Sequence, residues 1–439
     1  MTDAPEPREV ARLQQRVGLF GAIMMGLGSI LGTGVFVSIG VAAGIAGPAV
    51  ILAVALAALV AICNGLSSAQ LAASHPVSGG TYEYGYKYLN SWLGFTAGWM
   101  FLLAKSASAA TAALGFSGYL LSALDLSYDY LIPVALAAVL LFTFIVLSGI
   151  HRSNVVNIVI VSLTLLALTF FIVAGAPMVS RVNLTPFFDS AAETDASLAA
   201  LFHASALMFV AYTGYGRIAT LGEEVHEPRR TIPKAIIFTL IVTMLLYMVV
   251  ATVGIGVVGS DVLGGAAQGR SGREVAPLAL AAQFFAFPLS SQILAAGAIT
   301  AMLGVLLNLI LGLSRVLLAM GRRRDMPGFF AHLNRSKTTP SYAVVAIGGA
   351  IAGLVLIGDV KTTWSFSAFT VLIYYALTNL AALRMSQKER LYPAWVAGAG
   401  LIFCLFLAFW VERQTWLIGL VLIIAGLGWH AAAKWQRAS

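Results

Sequence analysis

Residues 26–34 have the sequence Gly26-Leu27-Gly28-Ser29-Ile30-Leu31-Gly32-Thr33-Gly34, with four glycines in nine residues. They lie within an apolar segment that runs from about residue 17 to residue 43, which is long enough to cross a bilayer as a helix. Glycine weakens a helix and lets a ligand approach the backbone closely. We therefore expect a membrane helix that is interrupted near its middle.

The rest of the chain has the composition of a membrane protein. Of the 439 residues, 59% are apolar and only 10% are charged, and the mean hydropathy is +0.90. Backbone groups inside a bilayer must be hydrogen-bonded within the protein, which restricts spanning structures to helices and closed barrels. Because the apolar runs are long and continuous and do not alternate, the sequence predicts an all-α membrane protein.

The apolar runs divide into about twelve spans of roughly 20 residues. Charges and prolines in residues 1–16 argue against a signal peptide and indicate a cytoplasmic tail. The predicted helices are 17–43, 48–73, 92–121, 131–149, 153–175, 198–221, 234–258, 291–320, 341–357, 362–383, 392–410 and 414–433.

Lysine and arginine are distributed unevenly between the predicted loops. With the N-terminus inside, 18 of the 26 basic residues fall on inner segments, whereas acidic residues divide evenly between the two sides. The positive-inside rule then predicts that both termini are cytoplasmic in a multi-pass protein of the cytoplasmic (inner) membrane. The net charge of +8 reflects this topology and anionic membrane lipid, and no nucleic-acid partner is needed to explain it.

A second glycine-containing stretch, Ala211-Tyr212-Thr213-Gly214-Tyr215-Gly216, falls near the middle of the sixth predicted helix. Helices one and six begin two sets of five helices, so interruptions at matching positions suggest an inverted repeat with a substrate site between them. Unwound backbone offers N–H groups to a carboxylate and C=O groups to an ammonium. An α-amino acid zwitterion matches both.

Other interpretations of these stretches remain open. Glycines in membrane helices often serve only close packing, and a nucleotide-binding loop is disfavoured because true GxGxxG spacing and a preceding strand are missing. An intramembrane enzyme would need a nucleophile or metal set, and a channel would need a polar lining or rings of charge. Neither pattern is evident, so we expect no enzyme activity, no metal and no cofactor.

Four stretches, in order along nearly the whole chain, resemble motifs of the amino acid, polyamine and organocation (APC) transporters. Residues 28–36 are similar to the GSIIGTGIF signature of helix one, and residues 76–82 to the P-x-x-GG-x-Y loop after helix two. Residues 223–236 resemble the EEVKNPxRTIPxAI loop after helix six. Residues 314–327, followed by Pro340, resemble the SRxxxAMARDGxLP…P stretch after helix eight.

The resemblance implies a five-plus-five inverted repeat with interrupted helices 1 and 6, here residues 17–175 and 198–383, two additional helices in 392–433, and a tail, 434–439. It implies an amino acid permease that works by alternating access as a symporter or antiporter. Its substrate carboxylate would contact the backbone near Ser29, Ile30, Gly32, Thr33 and Gly34. The ammonium would contact the carbonyls of Val210, Ala211 and Thr213, next to Gly214, and Tyr212 or Tyr215 would close over the ligand or serve only packing.

The coupling residue departs from the family pattern. Many members have a lysine in helix five, at the place of a sodium ion in sodium-coupled relatives, and alignment puts Thr164 there. Instead, Lys105 lies deep in helix three, where a charge is costly unless it is paired, hydrated or deprotonated. It either couples transport to protons or snorkels to the membrane surface. Protons are favoured over sodium, because helix eight offers only the hydroxyl of Thr300 between Ile293 and Leu313.

Charges near the inner ends of helices suggest the remaining expectations. Glu223, Glu224 and Arg230, with other loop arginines, are predicted to form a cytoplasmic gate. Arg217 replaces the acid that the family often carries before this loop, which argues against cationic substrates and favours a neutral amino acid. Whether Arg217 contacts the ligand, a loop acid or lipid phosphate remains open.

Overall fold

The computed structural model of the chain describes residues 17–75, 79–148, 154–188, 194–219, 225–268, 276–334, 339–357 and 359–438. No β-strand occurs in these ranges, where a single isolated bridge joins Val17 to Val225. The α-helices are α1 (Leu19–Ile30), α2 (Ile39–Ala46), α3 (Val50–Ser74), α4 (Thr81–Tyr88), α5 (Ser91–Ala123), α6 (Leu131–Leu147), α7 (Asn154–Gly175), α8 (Thr194–Tyr212), α9 (Gly216–Ala219), α10 (Pro228–Val258), α11 (Ser260–Gln268), α12 (Pro277–Ala282), α13 (Ser290–Arg322), α14 (Ser341–Val355), α15 (Val360–Leu383), α16 (Ala394–Ala408) and α17 (Arg413–Ala438).

Most of these helices suit a bilayer. Within the described ranges, nine helical segments are long and apolar enough to cross a membrane, and three shorter apolar helices, α1, α14 and α16, accompany them. The prediction of an all-helical fold is therefore confirmed, and the apolar segments are consistent with a membrane protein. The count of twelve spanning helices and the inverted repeat stay predictions.

The glycine-rich stretch interrupts the first apolar segment. Helix α1 ends at Ile30, and Leu31 has extended backbone with ψ 106°. Helical structure resumes with a π-helical turn, Gly34–Ser38, that continues into α2, and the N–H groups of Val35 and Phe36 both donate to Gly32 O, at 3.1 and 3.2 Å. The second half of this segment thus begins at the interruption, where the first N–H groups of a helix have no partner within the helix itself. Those of Val35 and Phe36 are taken up by Gly32 O.

The second interruption is milder than the sequence predicts. Helix α8 ends at Tyr212, a 3-10 turn covers Thr213–Tyr215, and α9 follows, with backbone angles that stay in the right-handed helical region at Tyr212 and Gly216. The Thr213 hydroxyl donates to Val210 O at 2.7 Å. This bond satisfies a carbonyl at the point where the hydrogen-bond pattern changes, so the helix tightens here without unwinding.

Two glycines let the interrupted segments touch. A Cβ atom at Gly214 would collide with the carbonyl oxygen of Ser29, and one at Gly34 would lie 2.6 Å from Ala211 Cβ. The close-packing interpretation of these glycines is therefore physically sound at both positions. It also explains how backbone groups from both segments come to face the same small space.

Helix α5 runs through the middle of the protein, packed against α13 and α15. Buried hydroxyl pairs join it to α15: Ser108 Oγ lies 2.7 Å from Ser367 Oγ, and Thr111 donates to Thr363 Oγ1 at 2.8 Å. Hydrogen bonds of this kind hold helices together where lipid removes the hydrophobic driving force. They fix the rotation of α5, and with it the direction of Lys105.

Candidate functional site

A cavity of about 40 Å³ lies between the interrupted segments and helices α5, α13 and α15. This is close to the volume of one water molecule, so an amino acid requires the walls to move apart. Most of the predicted substrate-site residues meet here, together with Lys105 and four residues that sequence reasoning missed. The lining consists of Ser29, Ile30, Thr33, Gly34, Lys105, Ser108, Val210, Ala211, Thr213, Gly214, Val305, Leu309 and Trp364.

Lys105 points into this cavity. Its ammonium donates to Thr213 Oγ1 at 2.7 Å, and only 8% of the residue is exposed. The side chain therefore extends towards the 3-10 turn of the sixth predicted helix and away from the membrane surface that snorkelling would require. Among the lining residues, it carries the one ionisable side chain.

Two tyrosine hydroxyls donate hydrogen bonds to backbone carbonyls around the cavity. Tyr247 Oη of α10 lies 3.0 Å from Ile30 O and 3.4 Å from Ala211 O, so it bridges the two interrupted segments. Tyr375 of α15 donates to Thr213 O at 3.2 Å. A cation that approached the carbonyls of Ala211 and Thr213 would have to share or displace these hydrogen bonds.

Three predicted substrate-site residues lie outside the lining. Gly32 packs against α13, where an added Cβ would lie 2.7 Å from Val305 Cγ2. Tyr212 donates to Val54 O at 3.2 Å, and the Tyr215 ring lies 5.4 Å from the Tyr375 ring. Both tyrosines are fully buried, so either ring would have to leave this packing before it could close over a ligand.

The two threonines that bear on ion coupling are held by their own helices. Thr164 is buried and donates to Ile160 O at 2.8 Å. Thr300 donates to Ala296 O at 2.9 Å. Neither belongs to the cavity lining, so the structure does not bring Thr164 together with Lys105 in one site.

The residues that sequence reasoning missed differ in how visible they were. Ser108 lies one helical turn beyond Lys105, on the same face of α5, and could have been found from that spacing. Val305 and Leu309 are aliphatic residues in an apolar helix and carry no distinguishing pattern. Trp364 donates through Nε1 to Leu207 O at 3.0 Å, although tryptophan near a helix end is typical of a membrane interface.

Two of the recognised motifs meet near the N-terminal end of α5. Tyr82 and Tyr86 donate to Asp325 Oδ2 at 2.7 and 2.5 Å. From α17, Trp429 Nε1 donates to Asp325 O at 2.9 Å, and His430 Nδ1 lies 3.5 Å from Asp325 Oδ1. Asp325 is thus a buried point at which α4, α13 and α17 are joined.

The predicted cytoplasmic gate is only partly visible. Glu223 and Glu224 lie outside the described residues. Arg230 pairs with Glu227 one turn away at 3.6 Å, with both side chains more than 70% exposed, so this pair is local to the start of α10. Arg217 lies half-buried in α9.

An ion pair between Glu83 and Arg323 joins α4 to the end of α13. Arg323 Nε donates to Glu83 Oε1 at 3.3 Å, and its guanidinium lies 4.3 Å from the centre of the Tyr86 ring. Glu83 was not predicted, because a single acid in a short polar helix carries no special pattern. The pair is well placed to form and break if α4 and the C-terminal end of α13 move relative to each other.

We expect Glu83→Gln to alter transport rate more than substrate affinity. Partly exposed ion pairs contribute about 0.2–1 kcal/mol, which changes the balance between conformations without touching the cavity. Uptake kinetics and equilibrium binding, measured on the same preparation, check this, with Glu227→Gln as the control for a local pair. A change in affinity with an unaltered rate would contradict a gating role.

Comparisons with known proteins agree on one family. The amino acid permease family profile matches residues 21–438. An uncharacterised transporter of Mycobacterium tuberculosis is 37% identical over 434 residues, covering 98% of this chain and 94% of that protein. Two proteins of Bacillus subtilis are more distant: the branched-chain amino acid permease BcaP, 28% identical over 93% of this chain and 91% of its own, and a methylthioribose transporter, 27% identical over 94% and 92%.

These matches span nearly all of the chain, including both interrupted segments and the motifs that meet at Asp325. The relatives that match over most of the chain are transporters, and the helices have the length and apolarity to cross a membrane. The chain therefore belongs to the amino acid permease family of the APC superfamily.

Proposed function

We propose that this protein is a secondary active transporter that moves a neutral amino acid across the cytoplasmic membrane by alternating access. The observation that carries the proposal is the cavity between the two interrupted segments. Backbone groups from both segments face it, and a buried lysine enters it from α5. Recognition by backbone groups at interrupted helices is the chemistry expected of transporters with this architecture.

The two ends of a zwitterion would meet different segments. The carboxylate would bind near Ile30, Thr33 and Gly34, where backbone donors face the interruption. The ammonium would bind near the carbonyls of Val210 and Ala211, and that of Thr213. The apolar side chains of Val305, Leu309 and Trp364 would surround the substrate's own side chain, which favours an uncharged apolar amino acid such as leucine.

The coupling ion in this proposal is the proton, carried by Lys105, or else transport is an exchange of substrates. Sodium is disfavoured, because the helix-eight hydroxyl of Thr300 already donates to its own helix and does not face the cavity. A hard cation needs several oxygen ligands in one place. With Thr164 at the position of the family's lysine, that position is uncharged, and Lys105 of α5 would carry the coupling proton instead.

The arrangement in the membrane follows the distribution of basic residues. Both termini would lie in the cytoplasm, and residues 17–175 and 198–383 would form the two inverted repeats that rock against each other. Residues 392–433 would add two helices outside the repeats. The ion pair of Glu83 with Arg323 supports this picture, since it lies at the inner end, where basic residues concentrate.

The proposal is tested by a thermal-shift screen of the purified protein against the twenty amino acids. A ligand that binds only the folded state raises stability with the logarithm of its concentration over Kd, by about 2.7 kcal/mol at a hundredfold excess. We expect neutral apolar amino acids to stabilise the protein. Their methyl esters and their decarboxylated amines should fail, because each lacks the carboxylate that the first interrupted segment binds.

A channel and an intramembrane enzyme predict different results. A channel would give flux that does not saturate and does not distinguish L from D enantiomers, and an enzyme would change its substrate chemically. Equal stabilisation by an amino acid and by its methyl ester would show that the first interrupted segment does not bind the substrate carboxylate.

A further inference from the structure

In the proposed function, the Lys105 ammonium and the substrate ammonium are directed to one place in the cavity. Lys105 Nζ donates to Thr213 Oγ1 at 2.7 Å, and the same hydroxyl donates to Val210 O at 2.7 Å. Two consecutive hydrogen bonds therefore separate the lysine ammonium from a carbonyl oxygen that the proposed function gives to the substrate ammonium. Ala211 and Thr213, whose carbonyls complete that group, line the same cavity.

The residues that line the cavity supply no carboxylate to balance two cations. Charged groups on the elements packed against α5 lie towards its ends: His430 stacks on Phe95, which precedes Lys105 by about 15 Å of helix, and Asp359 caps the outer start of α15. From α15, the Tyr374 ring packs against Phe101 of α5, and the Tyr375 hydroxyl donates to Thr213 O. Apart from tyrosines, the other ionisable side chains that the structure describes on these elements and at their ends are Glu83, Lys87, Asp129, Arg315, Arg322, Arg323, Asp325, Lys361, Arg384, Arg413 and Lys434.

Electrostatics opposes simultaneous occupation by two cations. The lysine side chain extends into a cavity of only about 40 Å³, so a substrate ammonium beside the Thr213 turn lies close to it even after the walls have moved apart. The repulsion between two unit charges about 5 Å apart, at an effective dielectric constant of about 20, is enough by itself to weaken binding on the order of a hundredfold, and the substrate carboxylate, bound at the other interrupted segment, offsets only part of it. A substrate ammonium is therefore accommodated far better beside an uncharged amine than beside an ammonium.

We infer that the substrate ammonium and the ammonium of Lys105 compete for the place beside the Thr213 turn, so that binding of an amino acid releases one proton from Lys105. In this step the Nζ–H bond breaks, its electron pair stays on nitrogen, and the proton passes to water on the open side of the site. The inference deepens the proposed function and rests on it. It also predicts the direction of coupling. A carrier that holds either a proton or a substrate, but not both, moves the two in opposite directions across the membrane.

The competition predicts opposite pH responses for two closely related ligands. Leucine brings an ammonium and should bind more tightly as pH rises, by up to about tenfold per unit while Lys105 is mostly protonated. The 2-hydroxy analogue of leucine keeps the carboxylate and side chain but has no ammonium. It should bind more tightly as pH falls, because the protonated lysine then balances its charge.

Isothermal titration of the full-length purified protein with L-leucine tests this, in two buffers of different ionisation enthalpy and at roughly pH 6 and pH 8. The buffer dependence of the heat gives the number of protons exchanged. We expect release approaching one proton per leucine for the wild-type protein at the lower pH. Lys105→Met should release none and bind leucine with little pH dependence, while Lys87→Met, an exposed lysine of α4, should behave as wild type.

The possible outcomes distinguish a failure of the inference about Lys105 from a failure of the proposed function. Leucine binding without proton release, or with release that persists in Lys105→Met, overturns the inference and leaves the amino acid site standing. Proton uptake on leucine binding would overturn it too, since it requires co-transport. If leucine does not bind to wild-type protein at either pH, the proposed neutral amino acid substrate is wrong, and the inference falls with it.

Discussion

We expect Lys105→Ala to abolish the ability of a pH difference to concentrate substrate, while leaving substrate binding intact. Removing the ammonium deletes the one ionisable side chain that lines the cavity, so no proton change accompanies the movement between access states. Exchange of one proton per leucine would give wild-type vesicles a leucine ratio of about tenfold per pH unit. For the variant we expect a ratio of about one, with equilibration and exchange retained.

Uptake into liposomes, with internal and external pH set separately, measures this. The pH difference is imposed in both directions. Competition at Lys105 predicts that leucine accumulates in the more acidic compartment, whereas co-transport with protons predicts that it accumulates in the more alkaline one. Lys87→Met is the matched control and should follow the wild type. Full pH-driven accumulation by Lys105→Ala would mean that the lysine serves only packing and that protons couple elsewhere.

The second large effect concerns stability. Asp325→Ala removes the acceptor of the Tyr82 and Tyr86 hydroxyls and the side-chain contact with His430. Hydrogen bonds to a charged group contribute about 1.5–3 kcal/mol each, and buried hydroxyls left without an acceptor add a desolvation cost. We expect a loss of about 3 kcal/mol or more, measured as a lowered thermal midpoint in detergent.

A double mutant separates the contact from general damage at this position. On the Asp325→Ala background, Tyr82→Phe should cost less than it does in the wild-type protein, because the hydroxyl has already lost its acceptor. Asp261→Ala, at an exposed acid of α11, is the control and should have little effect. Equal thermal midpoints for Asp325→Ala and Asp261→Ala would show that the cluster does not join the helices energetically.

The sequence predicted the features that arise from composition and backbone chemistry. Continuous apolar runs predicted membrane helices, and four glycines in nine residues predicted the interruption after Ile30. Lys105 was conspicuous because a charge deep in an apolar helix is costly wherever it points. Its direction towards Thr213 depends on how α5 rotates against α15, and buried hydroxyl pairs decide that.

Features that depend on three-dimensional packing were not predictable. The extent of the second interruption was overestimated, because the bond from the Thr213 hydroxyl to Val210 O lets the helix tighten instead of unwinding. Tyr247 bridges both segments from α10, yet a tyrosine in a membrane helix is ordinary and its partner carbonyls are distant in sequence. Gly34 and Gly214 matched a binding motif, but only the folded structure reveals that each also permits a close contact between the two segments.

Uptake of radiolabelled L-leucine by liposomes that contain the purified protein tests the central claim most directly. The account predicts saturable uptake, inhibition by unlabelled L-leucine but not by its methyl ester or by D-leucine, and recovery of chemically unchanged leucine from the vesicles. Flux that does not saturate, uptake equal to that of protein-free liposomes, or chemical conversion of leucine would contradict it.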